Sequence, residues 1–216
     1  MKITKVDYAA TGAFSQTIAD YLSQSEKLRS FYHRFPTSEA FGEQLQEKNF
    51  TAEQRHTLCQ ALQEQYGSVV DIHPAVQQNL ELLQQPNTYT ITTGHQLNIF
   101  TGPLYFVYKI VTAINTCREL NVAYPDYNFV PVYWMATEDH DFAEINHFNL
   151  FGKRYTWESE QTGAVGRFST AGLEKVLEEL PEAFPIFEEA YRNSKTLADA
   201  TRAITHALFG EYGLVS

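Results

Sequence analysis

The chain has 216 residues and a mass of 24.7 kDa, enough for one large domain or one and a half small ones. Its 16 Lys and Arg against 26 Asp and Glu give a net charge of −10 and a pI near 5.1, which excludes a protein drawn to nucleic acid by a basic surface but leaves room for a local pocket that takes a small phosphorylated ligand. Apolar residues at 44% and charged residues at 19% exclude a disordered chain. The start, MKITKVDY, has no apolar stretch and no run reaches membrane-spanning length, while Cys59 and Cys117 lack the spacing of a disulfide framework or zinc site. The expectation is a reduced, cytoplasmic, soluble protein with no membrane partner.

To about Gln85 the pattern predicts helices joined by short loops. Phe14, Ile18, Tyr21, Leu22 and Leu28 recur near helical spacing in one segment. Thr51 with Gln54 forms a capping box ahead of an apolar face of Leu58, Cys59, Leu62 and Tyr66. Pro74 suits a first helical position, followed by Val76, Leu80 and Leu83. Many of the remaining positions are Gln, which tolerates a helix and cannot move protons at neutral pH. Residues 1–86 therefore read as a helical, architectural region, and His33, His56, His73 and His206 as structural.

From residue 87 the character changes. Tyr89–Thr93 is a run of β-formers ending at Gly94. A loop, HQLNIFTG, leads through Pro103 into LYFVYKIVTAINTCREL, a helix apolar around most of its circumference and so expected to be buried against a sheet. Phe129–Trp134 gives a second strand, apolar on both faces, with Pro131 arguing for a strand start or a bulge. Strand, helix, strand predicts a βαβ unit and a parallel sheet. Beyond it lies a less regular stretch with a short strand near Arg154–Glu158. Helices are expected at Ala171–Leu180 and Thr196–Phe209, separated by breaks at Pro181 and Pro185. Leu214-Val215 reads as the onset of another strand, which suggests the N-terminal part of a longer protein and an incomplete sheet.

Ligands of open α/β sheets bind beyond the carboxyl ends of the strands, and two polar clusters fall there. Thr92-Thr93-Gly94-His95 has the form T-x-G-H: Gly94 permits close backbone approach, the following helix N-terminus offers free N–H groups, and His95 can donate to a phosphate oxygen. Its alternative is a turn glycine followed by a capping histidine. Glu138-Asp139-His140-Asp141, with Glu144, Asn146 and His147 behind it, carries metal-ligand and substrate-binding types. Its alternative is a solvated acidic loop opening a helix. Lys109 either snorkels or reaches back toward the crevice, and Arg167 in GAVGRF is a candidate carboxylate or phosphate clamp.

Two longer segments, TTGHQLNIFTGPLYFVYK and VPVYWMATEDHDFAEINH, with a shorter V-G-R at Val165–Arg167, resemble the bacillithiol biosynthesis cysteine-adding enzymes, the bacillithiol synthase or cysteine ligase family. The resemblance covers essentially the whole chain, and family members are much longer. It implies a Rossmann-like, nucleotidyltransferase-like α/β core over 87–216, with an inserted irregular or helical segment around 150–195. It also implies addition of L-cysteine to the malyl carboxylate of glucosaminyl malate through an activated carboxylate. ATP with Mg²⁺ is the natural activator, a later coiled coil would make the full-length protein a homodimer, and the chain alone would be inactive. By the same analogy His95, His140 and Asp141 are the catalytic candidates. Thr93, Gly94, Gln96, Thr101, Gly102, Lys109, Glu138, Asp139, Asn146 and Arg167 are the substrate- or nucleotide-binding candidates, with no dedicated metal site. A metal-dependent hydrolase built on His95, Asp139, His140, Asp141 and His147 is the rival enzyme reading, and a non-catalytic scaffold the third.

Overall fold

The computed structural model describes residues 4–67, 69 and 71–216, so the first three residues of the charged start lie outside the described residues. It divides into two compact units, Met1–Asn49 and Phe50–Ser216.

The first unit holds short helices. Asp7 caps α1 (Tyr8–Thr11) by accepting from the Ala9 N–H at 2.8 Å, and Ser15 caps α2 (Gln16–Leu22). The single helical segment expected from Phe14 to Leu28 is in fact broken. Gln24 adopts φ 54°, and the N–H groups of Gln24 and Ser25 return to the carbonyls of Tyr21 and Asp20, a Schellman closure that ends α2. A 3-10 turn over Glu26–Phe31 follows, then α3 (Ser38–Glu47). Arg34 lies between Glu43 and Glu47, and His33 Nε2 lies 2.9 Å from Glu47.

The second unit opens with α4 (Ala52–Tyr66), started by the expected capping box of Thr51 and Gln54. In α5 (Pro74–Leu82), Pro74 occupies the first turn and His73 caps it, and the His73 N–H donates to His206 Nε2 at 3.1 Å. These two helices share this compact unit with the sheet. Buried Arg55 of α4 donates to the carbonyls of Leu83 (2.8 Å) and Thr88 (3.1 Å), tying the helix to the chain that enters the sheet.

The βαβ unit is present. Strand β1 (Thr88–Gln96) pairs in parallel with β2 (Asn128–Ala136), from Thr88 opposite Asn128 to Gln96 opposite Ala136, joined by α6 (Leu104–Ala123). Helix α6 packs against the sheet as expected, but through one stripe only. Phe106, Ile110, Ala113, Ile114, Cys117 and Leu120 are buried, but Leu104, Tyr105 and Tyr108 are more than 60% exposed, and Val122 is 84% exposed. One sheet face can bury only one stripe of a helix, so the apolar residues on the rest of its circumference face outward.

Val130, Val132 and Val215 pack with Cys59, Tyr66, Val76 and Leu83 on one side of the sheet. Tyr133, Phe106, Ile110, Phe209 and Leu214 form the core on the other. Val215 adds a parallel bridge beside Val132: its N–H donates to Pro131 O, and its carbonyl accepts from the Tyr133 N–H at 2.8 Å. Pro131 thus lies within the strand, not at its start. It has no N–H to offer on this edge, and the carbonyl it would have met, that of Gly213, accepts from Asn79 Nδ2 at 2.6 Å.

The region after β2 has a core of its own. A one-turn helix, α7 (Phe142–Ile145), leads into a hairpin of β3 (His147–Leu150) and β4 (Lys153–Thr156). The strand expected near Arg154 is β4; its partner β3 is an addition to the expected elements. Helices α8 (Leu173–Glu178), α9 (Pro185–Asn193) and α10 (Leu197–Phe209) follow. Pro185 does not break structure but opens α9 at the first turn, where its missing N–H costs nothing. Trp157, Phe168, Leu173, Tyr191 and Leu197 are the centre of this core, and Leu97, Ile99 and Phe100 from the loop after β1 insert into it. That insertion fixes the geometry of the site.

Candidate functional site

Strand β1 runs on through the T-x-G-H segment, so His95 and Gln96 are its last residues rather than loop. Alternation then sorts them. His95 shares a face with Thr93 and, across the register, with Tyr133 and Met135; Gly94 and Gln96 share the other with Trp134. The His95 ring meets Phe106 edge-on at 5.8 Å and Tyr105 at 6.1 Å, both from the first turn of α6. Thr93 is half-buried on the same face, opposite Tyr133.

The turn between β1 and α6 is backbone-strained. Phe100 (φ 50°), Thr101 (φ 63°) and Gly102 (φ 55°) lie consecutively at positive φ, uncommon for Phe and an outlier for a β-branched Thr. What holds them is aromatic. Phe100 stacks on Phe148 at 4.5 Å, packs against Phe187 and Tyr191, and gives its N–H to the buried Tyr191 hydroxyl at 2.7 Å. Strain of this kind costs of the order of 1–3 kcal/mol per residue and survives only where packing over-determines it. Here it sits on the wall of a cavity.

That cavity, about 780 Å³, is lined by His95, Gln96, Asn98, Thr101, Gly102, Leu104, Glu144, His147 and Asn149 among its polar and backbone contributors, with Phe100, Phe148, Phe184 and Phe187 as apolar walls. It opens at the carboxyl end of β1 and at the N-terminus of α6, where Leu104 and Tyr105 have N–H groups with no carbonyl partner within the helix.

Of the predicted site residues, His95, Gln96, Thr101 and Gly102 line this cavity. Others stand beside it. Gln96 is the link between the two clusters: its Nε2 donates to Glu144 at 2.8 Å, and it also hydrogen-bonds Asp139. The Asp139 carboxylate is held below its ordinary pKa chiefly by the Asp141 N–H, which donates to it at 2.9 Å, and further by Gln96. Asp141 stands at the start of α7, yet its side chain makes no capping hydrogen bond. Glu138, His140 and Asp141 are exposed and do not line the cavity. Asn146 Oδ1 lies 3.1 Å from His147 Nδ1, and its carbonyl accepts from the Trp157 N–H.

Lys109 reaches back along α6 and donates to the Gly94 carbonyl, with its ammonium 5.2 Å from the Tyr105 ring centre. The Arg167 side chain is exposed, but its V-G-R segment is docked: the N–H groups of Val165 and Gly166 donate to the carbonyls of Asp139 (2.8 Å) and Thr137 (3.0 Å). Among the described residues, no three His, Cys, Asp or Glu side chains come close enough together to hold a metal ion, so the ligand set required by the hydrolase reading is not assembled. Nor is any helix among them long and apolar enough to cross a membrane.

Asn98 lines the cavity but is not among the predicted site residues; Glu144, named only within the acidic segment, and His147, predicted only in the hydrolase reading, line it too. Asn98 lies in a stretch, LNIF, whose sequence carries only apolar neighbours. Glu144 and His147 are visible as members of the acidic segment, but only the position of the one-turn helix α7 and of β3 turns them toward His95's side of the crevice.

A family model, "Bacillithiol biosynthesis BshC, N-terminal Rossmann-like domain", matches residues 1–216. The chain belongs to the BshC family. A BshC relative from Flavobacterium johnsoniae is 49% identical over 97% of this chain, and one from Cytophaga hutchinsonii is 43% identical over 99%. A third, from Flavobacterium psychrophilum, is 48% identical over 97%. All three carry the name "Putative cysteine ligase BshC". The chain spans about 42% of the length of the Flavobacterium relatives. The matched BshC domain is Rossmann-like, in agreement with the parallel β1–β2 pair and its crossover helix.

Proposed function

We propose that this chain supplies the activating half-site of a cysteine ligase in bacillithiol biosynthesis, one that joins the amine of L-cysteine to the malyl carboxylate of glucosaminyl malate. The observation that carries the reading is the meeting of His95, Asn98, the strained 100–102 turn and the start of α6 at one cavity, in a BshC-family chain. A carboxylate does not react with an amine until one of its oxygens is made a leaving group. Phosphoryl or adenylyl transfer from ATP does this, and the amine then displaces phosphate or AMP as the amide forms. A helix N-terminus with free N–H groups and a histidine beside it suits the phosphate oxygens, whose charge grows as the bond to the leaving group breaks.

ATP enters as a substrate, bringing Mg²⁺ held mainly by its own phosphates and water, with one or two carboxylates from the protein. Glu144 is the carboxylate on the cavity wall, and Gln96 ties it to the Asp139 turn. The exposed His140 and Asp141 are then candidates for the cysteine side of the reaction, on the turn after β2. The test is product formation by the full-length protein from glucosaminyl malate and cysteine, with and without ATP. Amide formation that is unaffected by removing ATP overturns the activation step, and no amide under either condition overturns the ligase reading.

A further inference from the structure

Asn98 is flanked in the sequence by the apolar Leu97 and Ile99, yet its amide nitrogen has two partners at the cavity wall. Its Nδ2 lies 3.1 Å from the Gln96 carbonyl, which only accepts, so this atom is the amide nitrogen and not the oxygen. The same nitrogen lies 3.0 Å from His95 Nδ1. An amide NH₂ only donates, so this contact is a hydrogen bond only when the His95 nitrogen facing it presents a lone pair. The Gln96 carbonyl also stands 3.2 Å from His95 Nδ1 and could accept a proton from it, but that carbonyl already accepts from the Asn98 amide, and the Asn98 contact is the shorter of the two.

We propose that Asn98 is a positioning residue that holds His95 with Nδ1 unprotonated, leaving the ring proton on Nε2 to be donated to ligand.

The Asn98 rotamer is itself fixed by the turn. A Cβ on Gly102 would stand 2.5 Å from Asn98 Cβ and 2.6 Å from its Cγ, so the Gly102 backbone closes directly over the amide. The turn that brings Gly102 there is held by the Phe100 N–H to Tyr191 bond and the aromatic packing around Phe100. The glycine of the T-G-P motif is thereby explained, because any side chain at this position would take the room that Asn98 occupies beneath it. This assignment of Nε2 as donor stands on geometry alone, whereas its catalytic consequence rests on the ligase reading above.

Long-range ¹H–¹⁵N spectra of the histidine rings in the 216-residue chain test the tautomer directly. His95 is expected to show an unprotonated Nδ1 and a protonated Nε2. Asn98→Asp replaces the donor by an acceptor and is expected to move the proton to Nδ1. Asn98→Leu, which removes both, is expected to give a mixture of the two forms. A wild-type ring protonated on Nδ1, or the same tautomer in wild type and Asn98→Asp, overturns the proposal. In the full-length protein Asn98→Asp is expected to lower kcat by about 10²-fold with KM changed only a few-fold. A switched tautomer with an unchanged kcat removes His95 from the chemistry and reduces Asn98 to a structural role. That result is distinct from failure of the ligase reading, in which no amide forms even in the wild type.

Discussion

A side chain on Gly166 would collide with Thr137: its Cβ would stand 2.6 Å from both the Cβ and the carbonyl oxygen of Thr137. The atoms met are the Thr137 backbone and the Cβ fixed to it, not the far end of a flexible side chain, so neither can swing away. The contact joins the V-G-R segment to the turn that leaves β2, and the Gly166 N–H donates to that same carbonyl. Gly166→Ala is therefore expected to push the two segments apart and cost about 1–3 kcal/mol, read as a lower denaturant midpoint. Wild-type stability in this variant would mean that the close approach is not required.

His95→Ala in the full-length protein is expected to lower turnover by about 10²–10³-fold while leaving thermal stability within a degree or two, since the ring is half-buried and its loss strands only one side-chain hydrogen bond. Steady-state kinetics beside a melting curve separates the two effects. Activity within a few-fold of wild type places His95 outside the chemistry.

Asp141→Asn offers a contrast with a helix cap. Loss of a capping side chain costs about 0.5–2 kcal/mol, but Asp141 makes no capping bond to α7. Its substitution is expected to leave stability unchanged, and, if the turn after β2 serves the substrate, to lower activity. An early-melting variant with normal turnover would return Asp141 to a structural role.

Arg55→Met is expected to destabilise the second unit by at least about 2 kcal/mol. It strips the Leu83 and Thr88 carbonyls of their charged donor where the chain passes from α5 into β1. Chemical unfolding monitored by tryptophan fluorescence reads this, since both tryptophans, Trp134 and Trp157, lie in that unit.

In the first unit, hydrogen bonds from Arg34 and then His33 hold the Glu47 carboxyl down at about 2. A depressed carboxylate stabilises the fold above its unfolded value near 4.5, and that contribution fades as pH falls from there toward 2. The contact between Arg34 and α3 is expected to survive at pH 5 and loosen below pH 3. Carbon-13 titration of the Glu47 carboxyl checks it; a midpoint near 4.5 would show the contact absent in solution.

Much of this is legible in the sequence, for physical reasons that differ by element. The β1–α6–β2 unit announces itself because β-formers, a long apolar helix and a second apolar strand leave few other topologies. The capping box at Thr51 and the helix start at Pro74 are equally plain, being local chemistry. The hairpin of β3 and β4 is half hidden, since its strands are four residues each and β3 begins inside a polar run. His95 and Gln96 stand out from their place at a strand end. Asn98 does not: its importance comes from a turn at positive φ that only Phe100, Tyr191 and Gly102 together enforce. The outward-facing apolar stripe of α6 escapes a sequence reading because composition around a helix does not say how many neighbours it has.

Pro131 has one more effect on the molecule. Pairing on the Val215 side of β2 has a closed end at the proline: the neighbouring segment can hydrogen-bond from Val215 onward but not back across Gly213, whose carbonyl finds Asn79 in place of a strand amide. Sliding the segment by two residues toward the start of β2 would set its carbonyl against a ring nitrogen with nothing to donate. A single missing hydrogen thus serves as an alignment stop, selecting one pairing among several that the apolar pattern of the two segments would tolerate equally.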